Sequence, residues 1–192
     1  MSDFTPLKLG QRVPDFELET YEPAKGDFGT FSLASQLEKK RWTILFFYPA
    51  DATFVCTSEL AALAAEQDRF AAMACDVVTV STDTPAKHLA WRGQEPALAA
   101  ARFQMGADPG GELSRAFGVL DEGSGLALRG TFIINPAGIL LGSEMNFYNL
   151  GRNIDELVRK LKANIYLARN PNESCPATWN GDDGNPQVGT GT

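Results

Sequence analysis

The chain is poor in the residues that build disulfide scaffolds and metal centres. It carries three cysteines and one histidine in 192 residues. Three cysteines are too few for a disulfide framework, and an odd count leaves at least one thiol unpaired within the chain. A single histidine, His88, with no matching cluster of ligands argues against a metal site. There is no lysine or arginine run, and the formal net charge is -7 with a pI near 4.8. That balance excludes a nucleic-acid or other polyanion binder acting by bulk charge. No stretch approaches the roughly 18 apolar residues of a membrane span. The start, Met1-Ser2-Asp3-Phe4-Thr5-Pro6, lacks the basic residues and apolar run of a secretory signal. These absences predict a soluble cytoplasmic protein, in which any disulfide is transient and catalytic. The composition is that of a globular domain, 44% hydrophobic and 21% charged, in a chain long enough to bury a sizeable core.

Strand and helix patterns alternate along the chain. Thr43 to Tyr48 is continuously apolar or β-prone, as in a strand buried on both faces. Asp76 to Ser81 is a second strand and Thr131 to Ile134 a third, closed by the turn signal Asn135-Pro136-Ala137-Gly138. Ile139-Leu140-Leu141 opens a fourth, running toward Met145, so the last two form a hairpin and the sheet is mixed. Between them, Leu60, Leu63, Phe70 and Met73 recur at helical spacing across Phe54 to Met73. Thr84 to Trp91 is a shorter helix with Pro85 in its first turn. Asn153 and Glu156 cap a helix whose apolar face runs from Ile154 to Ala168 and which Pro171 stops. This order predicts a three-layer α/β domain. Residues 176–192 carry four glycines and two prolines among few apolar residues and read as a mobile tail.

Cys56 stands out by its placement. A strand leads through Pro49-Ala50-Asp51-Ala52 into a helix for which Thr53 is a suitable N-cap, putting Cys56 in the first turn. Helix N-termini present free N–H groups and positive partial charge, which stabilise a thiolate. The same placement also suits a small buried hydrophobe at the start of a core helix.

The pattern Pro49-x-x-x-Thr53-x-x-Cys56, set in Phe46-Phe47-Tyr48-Pro49-Ala50-Asp51, resembles the active-site signature of the typical two-cysteine peroxiredoxins of the alkyl hydroperoxide reductase C type. The similarity continues through Val80-Ser81-Thr82-Asp83-Thr84, His88, Trp91, Arg129-Gly130-Thr131-Phe132 and Asn135-Pro136-Ala137-Gly138. It ends at Glu173-Ser174-Cys175-Pro176-Ala177-Thr178-Trp179. The resemblance implies a thioredoxin-like α/β fold: a peroxiredoxin domain over residues 1–168, then a C-terminal arm over 169–192 carrying a resolving cysteine and a flexible tail. It implies a cofactor-free thiol peroxidase. Cys56 attacks a hydroperoxide, Thr53 orients thiolate and peroxide, Pro49 shapes and shields the pocket, and Arg129 stabilises the thiolate. Glu59 holds Arg129. Cys175 of a partner protomer resolves the Cys56 sulfenic acid, which implies a homodimer, in some relatives built into a ring decamer. Thioredoxin or a flavoprotein disulfide reductase is the implied electron donor. Cys75 matches no motif and reads as structural; His88 reads as packing or surface.

Two departures from the family pattern bear on the chemistry. Thr57 stands where most members have proline, which bears on how the first helical turn unwinds. The Gly-Gly-Leu-Gly insertion and C-terminal Tyr-Phe helix of hyperoxidation-sensitive members are absent, which implies resistance to sulfinic acid formation. Other functions fit less well. A thioredoxin-like oxidoreductase needs Cys-x-x-Cys, but Thr53 and Glu59 flank Cys56 at that spacing. A cysteine protease needs a base for which His88 lacks a partner motif. A holdase chaperone is separable from the peroxidase by peroxide consumption.

Overall fold

The structure, a computed structural model, describes residues 6–181. The chain divides into two compact units, one ending at Arg152 and the other beginning at Asn153.

The first unit is built on a seven-stranded mixed sheet. Its strands are β1 (Glu17–Glu22), β2 (Asp27–Ser32), β3 (Trp42–Phe47), β4 (Cys75–Ser81), β5 (Gln104–Ala107), β8 (Arg129–Ile134) and β9 (Leu140–Asn146), in the order β2-β1-β5-β4-β3-β8-β9. β4 lies parallel to both β3 and β5, while β8 runs antiparallel to β3 and to β9. β6 (Leu120–Asp121) and β7 (Leu126–Ala127) form a separate small hairpin. The helices are α1 (Leu33–Glu38), α2 (Phe54–Ala72), α3 (Pro85–Gln94) and α4 (Glu112–Ala116), with one 3-10 turn at Pro96–Leu98. α2 packs on β4, and α3 on β1 and β5.

β3 explains why the core sits where it does. All six of its residues are buried, as its unbroken apolar run requires of a central strand. Side chains alternate across the sheet. Leu45 and Phe47 join Val78, Val80, Phe132 and Ile134, with Leu33 and Phe117, in one apolar cluster. Ile44 and Phe46 alternate to the opposite face and are fully buried there. The β8–β9 turn closes through Asn135. Its carbonyl accepts from Gly138 N at 2.8 Å and its side chain from Ile139 N at 2.9 Å, while Gly138 adopts φ +79°.

The second unit contains α5 (Ile154–Arg169), capped by Asn153 Oδ1, which accepts from Glu156 N at 3.2 Å. Residues 170–179, read from sequence as arm and tail, pack back on this helix. Trp179 is 8% exposed, its ring lies 5.4 Å from that of Tyr166, and Arg159 Nη1 donates to its carbonyl at 3.1 Å. The rest of the expected tail, residues 182–192, lies outside the described residues.

The strands and helices expected from periodicity are present within one to three residues at most ends. One shift matters: Arg129 is the first residue of β8 rather than a residue before the strand. β1, β2, β5 and the short elements of residues 112–127 escape periodicity. β2 is mostly exposed, and β5 is only four residues long with a glycine in it.

Candidate active site

The connection from β3 to α2 sets the geometry. Ala52 takes the left-handed conformation (φ +60°) and Thr53 returns to extended backbone as the N-cap of α2. A non-glycine residue there costs about 1 kcal/mol or more, so the turn must be held from elsewhere. A buried polar network does this. Tyr48 Oη donates to Asp51 Oδ1 at 2.7 Å, and His88 Nδ1 lies 2.9 Å from Asp51 Oδ2. Asp51 N donates to Asp83 Oδ2 at 2.7 Å, and His88 Nε2 faces the Gly106 carbonyl at 3.1 Å. Burial and the Asp51 carboxylate push the Tyr48 phenol well above its ordinary range. His88 is fully buried, which settles its place in favour of the core. Pro49 is buried two residues beyond the end of β3, within this braced segment.

Cys56 occupies the first turn of the 19-residue α2 and is fully buried. Arg129 Nη1 lies 3.4 Å from its Sγ and donates to Glu59 Oε2 at 2.6 Å. Arg129 Nε donates to the Tyr148 carbonyl at 2.8 Å. Glu59 lies one turn beyond Cys56, on the helix face that meets β8. It is shared with a second arginine: Arg152 donates to it from its backbone N, Nε and Nη2 at 2.8, 2.9 and 3.0 Å. Arg152 Nη1 reaches the Gly130 carbonyl and Thr131 Oγ1. Its guanidinium sits 3.4 Å over the Phe46 ring. Burial pulls the Arg152 guanidinium down, opposed by Glu59.

Within the buried hydrogen-bonded cluster, two guanidinium groups share the single Glu59 carboxylate, and Cys56 lies at a helix N-terminus with Arg129 against its sulfur. Such an arrangement can meet negative charge that develops at or next to the sulfur.

The structure therefore brings Cys56, Glu59 and Arg129 together. Thr53 is exposed at the N-cap of α2, three residues before Cys56; its hydroxyl donates to the Ala50 carbonyl at 3.4 Å and makes no side-chain cap bond. Cys75 is buried at the start of β4, and burial, followed by Asp76, pushes its thiol far up. Cys175 is partly buried in the second unit. Burial raises its thiol, with Glu173 adding to the shift and Arg159 opposing it. Sequence reasoning missed Arg152 and the Tyr148 carbonyl. An isolated arginine before a helix cap reads as a surface charge, and a backbone acceptor leaves no mark in sequence. Among the described residues no group of three or more His, Cys, Asp or Glu could hold a metal, and no helix is long and apolar enough to cross a membrane.

Residues 9–142 match the AhpC/TSA family. Alkyl hydroperoxide reductase C of Staphylococcus saprophyticus is 38% identical over 171 residues, covering 89% of each chain. Among solved structures, Enterococcus faecalis AhpC superposes with a TM-score of 0.83 at 39% identity, over 88% of this chain and 98% of that one. Reduced 2-Cys peroxiredoxin of Plasmodium vivax superposes with a TM-score of 0.84 at 28% identity, over 91% and 90%. The mixed sheet flanked by helices is accordingly a thioredoxin-like α/β fold. With a cysteine at a helix start, an arginine against its sulfur and relatives matched along most of their length, the chain belongs to the AhpC/TSA family and is a peroxiredoxin of the alkyl hydroperoxide reductase C type.

Proposed function

We propose that the protein is a thiol peroxidase in which Cys56 reduces hydrogen peroxide and organic hydroperoxides. The observation that carries this reading is the Arg129 guanidinium 3.4 Å from Cys56 Sγ, inside a buried cluster in which two arginines share Glu59. The Cys56 thiolate attacks one peroxide oxygen and the O–O bond breaks. The leaving oxygen takes a proton and departs as water or alcohol. Sulfur is oxidised to sulfenic acid and the peroxide is reduced. Arg129 and the free N–H groups of the first turn of α2 meet the charge that develops on the oxygens. Pro49 bounds the pocket, Glu59 orients Arg129, and Thr53 orients the peroxide after a rotation of its exposed hydroxyl.

Cys175 of a partner protomer then attacks the Cys56 sulfenic sulfur, forming a disulfide between protomers and releasing water. An external dithiol, from thioredoxin or a flavoprotein disulfide reductase, reduces that disulfide and is itself oxidised. The working unit is a homodimer in the cytoplasm, with a ring decamer as the larger assembly. β9 is an edge strand; Met145 within it and Phe147 and Leu150 just after it are 56, 67 and 63% exposed. An apolar edge of this kind supports burial against a second copy.

Peroxide consumption with purified reductants tests this. Cys56→Ser is expected to abolish it. Cys175→Ser is expected to keep a single turnover, lose recycling and lose the covalent dimer on non-reducing gels. Cys75→Ser is expected to leave both intact. Retained activity in Cys56→Ser, or a covalent dimer that persists in Cys175→Ser, sinks the corresponding assignment.

A further inference from the structure

We propose that Tyr148 is a positioning residue for the active-site arginine: its hydroxyl, tied to Asp121 and Ser124, fixes the carbonyl that orients Arg129. This rests on the peroxidase reading above and adds a residue to it.

A guanidinium is planar, so contacts on two of its edges define its rotation. Arg129 is held on one edge by Glu59 and Cys56, and on another through Nε by the Tyr148 carbonyl at 2.8 Å. That carbonyl belongs to the irregular connection after β9, where backbone is ordinarily more mobile than in a strand. Its own side chain supplies the missing constraint. Tyr148 Oη donates to Asp121 Oδ2 at 2.6 Å and lies 2.8 Å from Ser124 Oγ, which is 2.8 Å from the same carboxylate oxygen. Asp121 and Ser124 are fixed in turn within the β6–β7 hairpin. Gly123 N donates to Asp121 Oδ1 at 3.0 Å, Gly125 N to the Asp121 carbonyl at 2.8 Å, and Leu126 N to Ser124 Oγ at 3.2 Å. β7 runs through Leu128, whose N–H donates to the Val119 carbonyl at 2.6 Å, directly into Arg129. A closed ring results: Arg129 to the Tyr148 carbonyl, Tyr148 hydroxyl to the hairpin, and the hairpin back to Arg129.

The protonation states keep this ring shut over a wide range. The Tyr148 hydroxyl, then Ser124, holds the Asp121 carboxyl below its ordinary value. Burial, then Asp121, raises the Tyr148 phenol. The Asp121 contribution is present above the ordinary carboxylate range and lost as pH falls through its lowered value. The Tyr148 contribution is present below the ordinary phenol range and lost as pH rises through its raised value. The latch therefore persists from about pH 5 to about pH 9.

The test is single-turnover oxidation of Cys56 by hydrogen peroxide in the full-length protein. Wild type is compared with Tyr148→Phe, Asp121→Asn, Arg129→Gln and the Tyr148→Phe/Arg129→Gln double variant, with folding checked by circular dichroism. Tyr148→Phe is expected to slow oxidation about threefold to tenfold, the range of one ordinary hydrogen bond, because the lost contact acts on Arg129 only through the backbone. The ratio to wild type should be flat between about pH 5 and 9. Asp121→Asn, which keeps an acceptor, should lose less than Tyr148→Phe. In the Arg129→Gln background Tyr148→Phe should change nothing further. A wild-type rate for Tyr148→Phe overturns the proposal. So does an equal fold-loss with and without Arg129, which makes the contact a hairpin staple only. A wild-type protein that does not oxidise at Cys56 overturns the peroxidase reading itself, an outcome distinct from the other two.

Discussion

Glu59 accepts one hydrogen bond from Arg129 and three from Arg152, all in the interior. Its carboxylate tolerates burial only because both oxygens are paired. Arg152→Met keeps the bulk over Phe46 but removes the side-chain donors, leaving Glu59 to pull Arg129 away from sulfur. We expect a loss of about 3–5 kcal/mol in urea unfolding. We also expect at least a tenfold fall in the rate of Cys56 oxidation. Arg152→Lys should recover little of either, because a point charge cannot span the fork or lie flat on the ring. At this scale sequence is informative where chemistry imposes spacing. Cys56 and Glu59 are one turn apart, while Arg129 is marked only by its motif and not by its place in a strand. It is silent on Arg152 and Tyr148, whose partners are 93 and 19 residues away along the chain.

The first turn of α2 carries a restraint specific to this chain. Both Thr57 N and Thr57 Oγ1 donate to the Thr53 carbonyl at 2.9 Å. Proline at this position can make neither bond. Cys56 is fully buried, so a resolving thiol reaches it only after this turn loosens. Thr57→Pro is therefore expected to speed disulfide formation after one equivalent of peroxide by about fivefold or more, given roughly 0.5–1.5 kcal/mol for each of the two lost bonds. It should also lower the fraction of Cys56 carried to sulfinic acid, read by quenched-flow and mass spectrometry. An unchanged resolution rate rules out the doubled bond as a brake. The elements themselves were readable where periodicity was long, as in β3, α2 and α5. Elements whose stability comes from neighbours were not: β1 pairs with both β2 and β5, and its pairing rather than its pattern makes it a strand.

For the molecule as a whole, if Cys175 is the resolving thiol proposed above, its surroundings in the second unit are expected to set the pH response of that step. Burial and Glu173 raise the Cys175 thiol, while Arg159 opposes them. The attacking species is the thiolate, so disulfide formation should accelerate as pH rises through the thiol range. Glu173→Gln should speed it at neutral pH and Arg159→Ala should slow it, each by a factor of about two to five. A pH-independent resolving step counts against Cys175 as the thiol involved. The fold class was legible in sequence, and the position of Cys56 at a helix start with it, because a strand, a turn and a helix start are local features. The packing of Trp179 on α5 was not, since a glycine-rich sequence hides a single aromatic anchor. Arg129 and Arg152 share the one Glu59 carboxylate, and Arg129 also faces Cys56 Sγ, so this corner of the interior favours a negative group at the sulfur. A neutral sulfenic acid gives the guanidinium less to hold than an ionised sulfur group does. Loosening of the first turn of α2 is therefore expected to be greatest at the sulfenic stage, read by amide hydrogen exchange of that turn in the reduced, sulfenic and sulfinic forms.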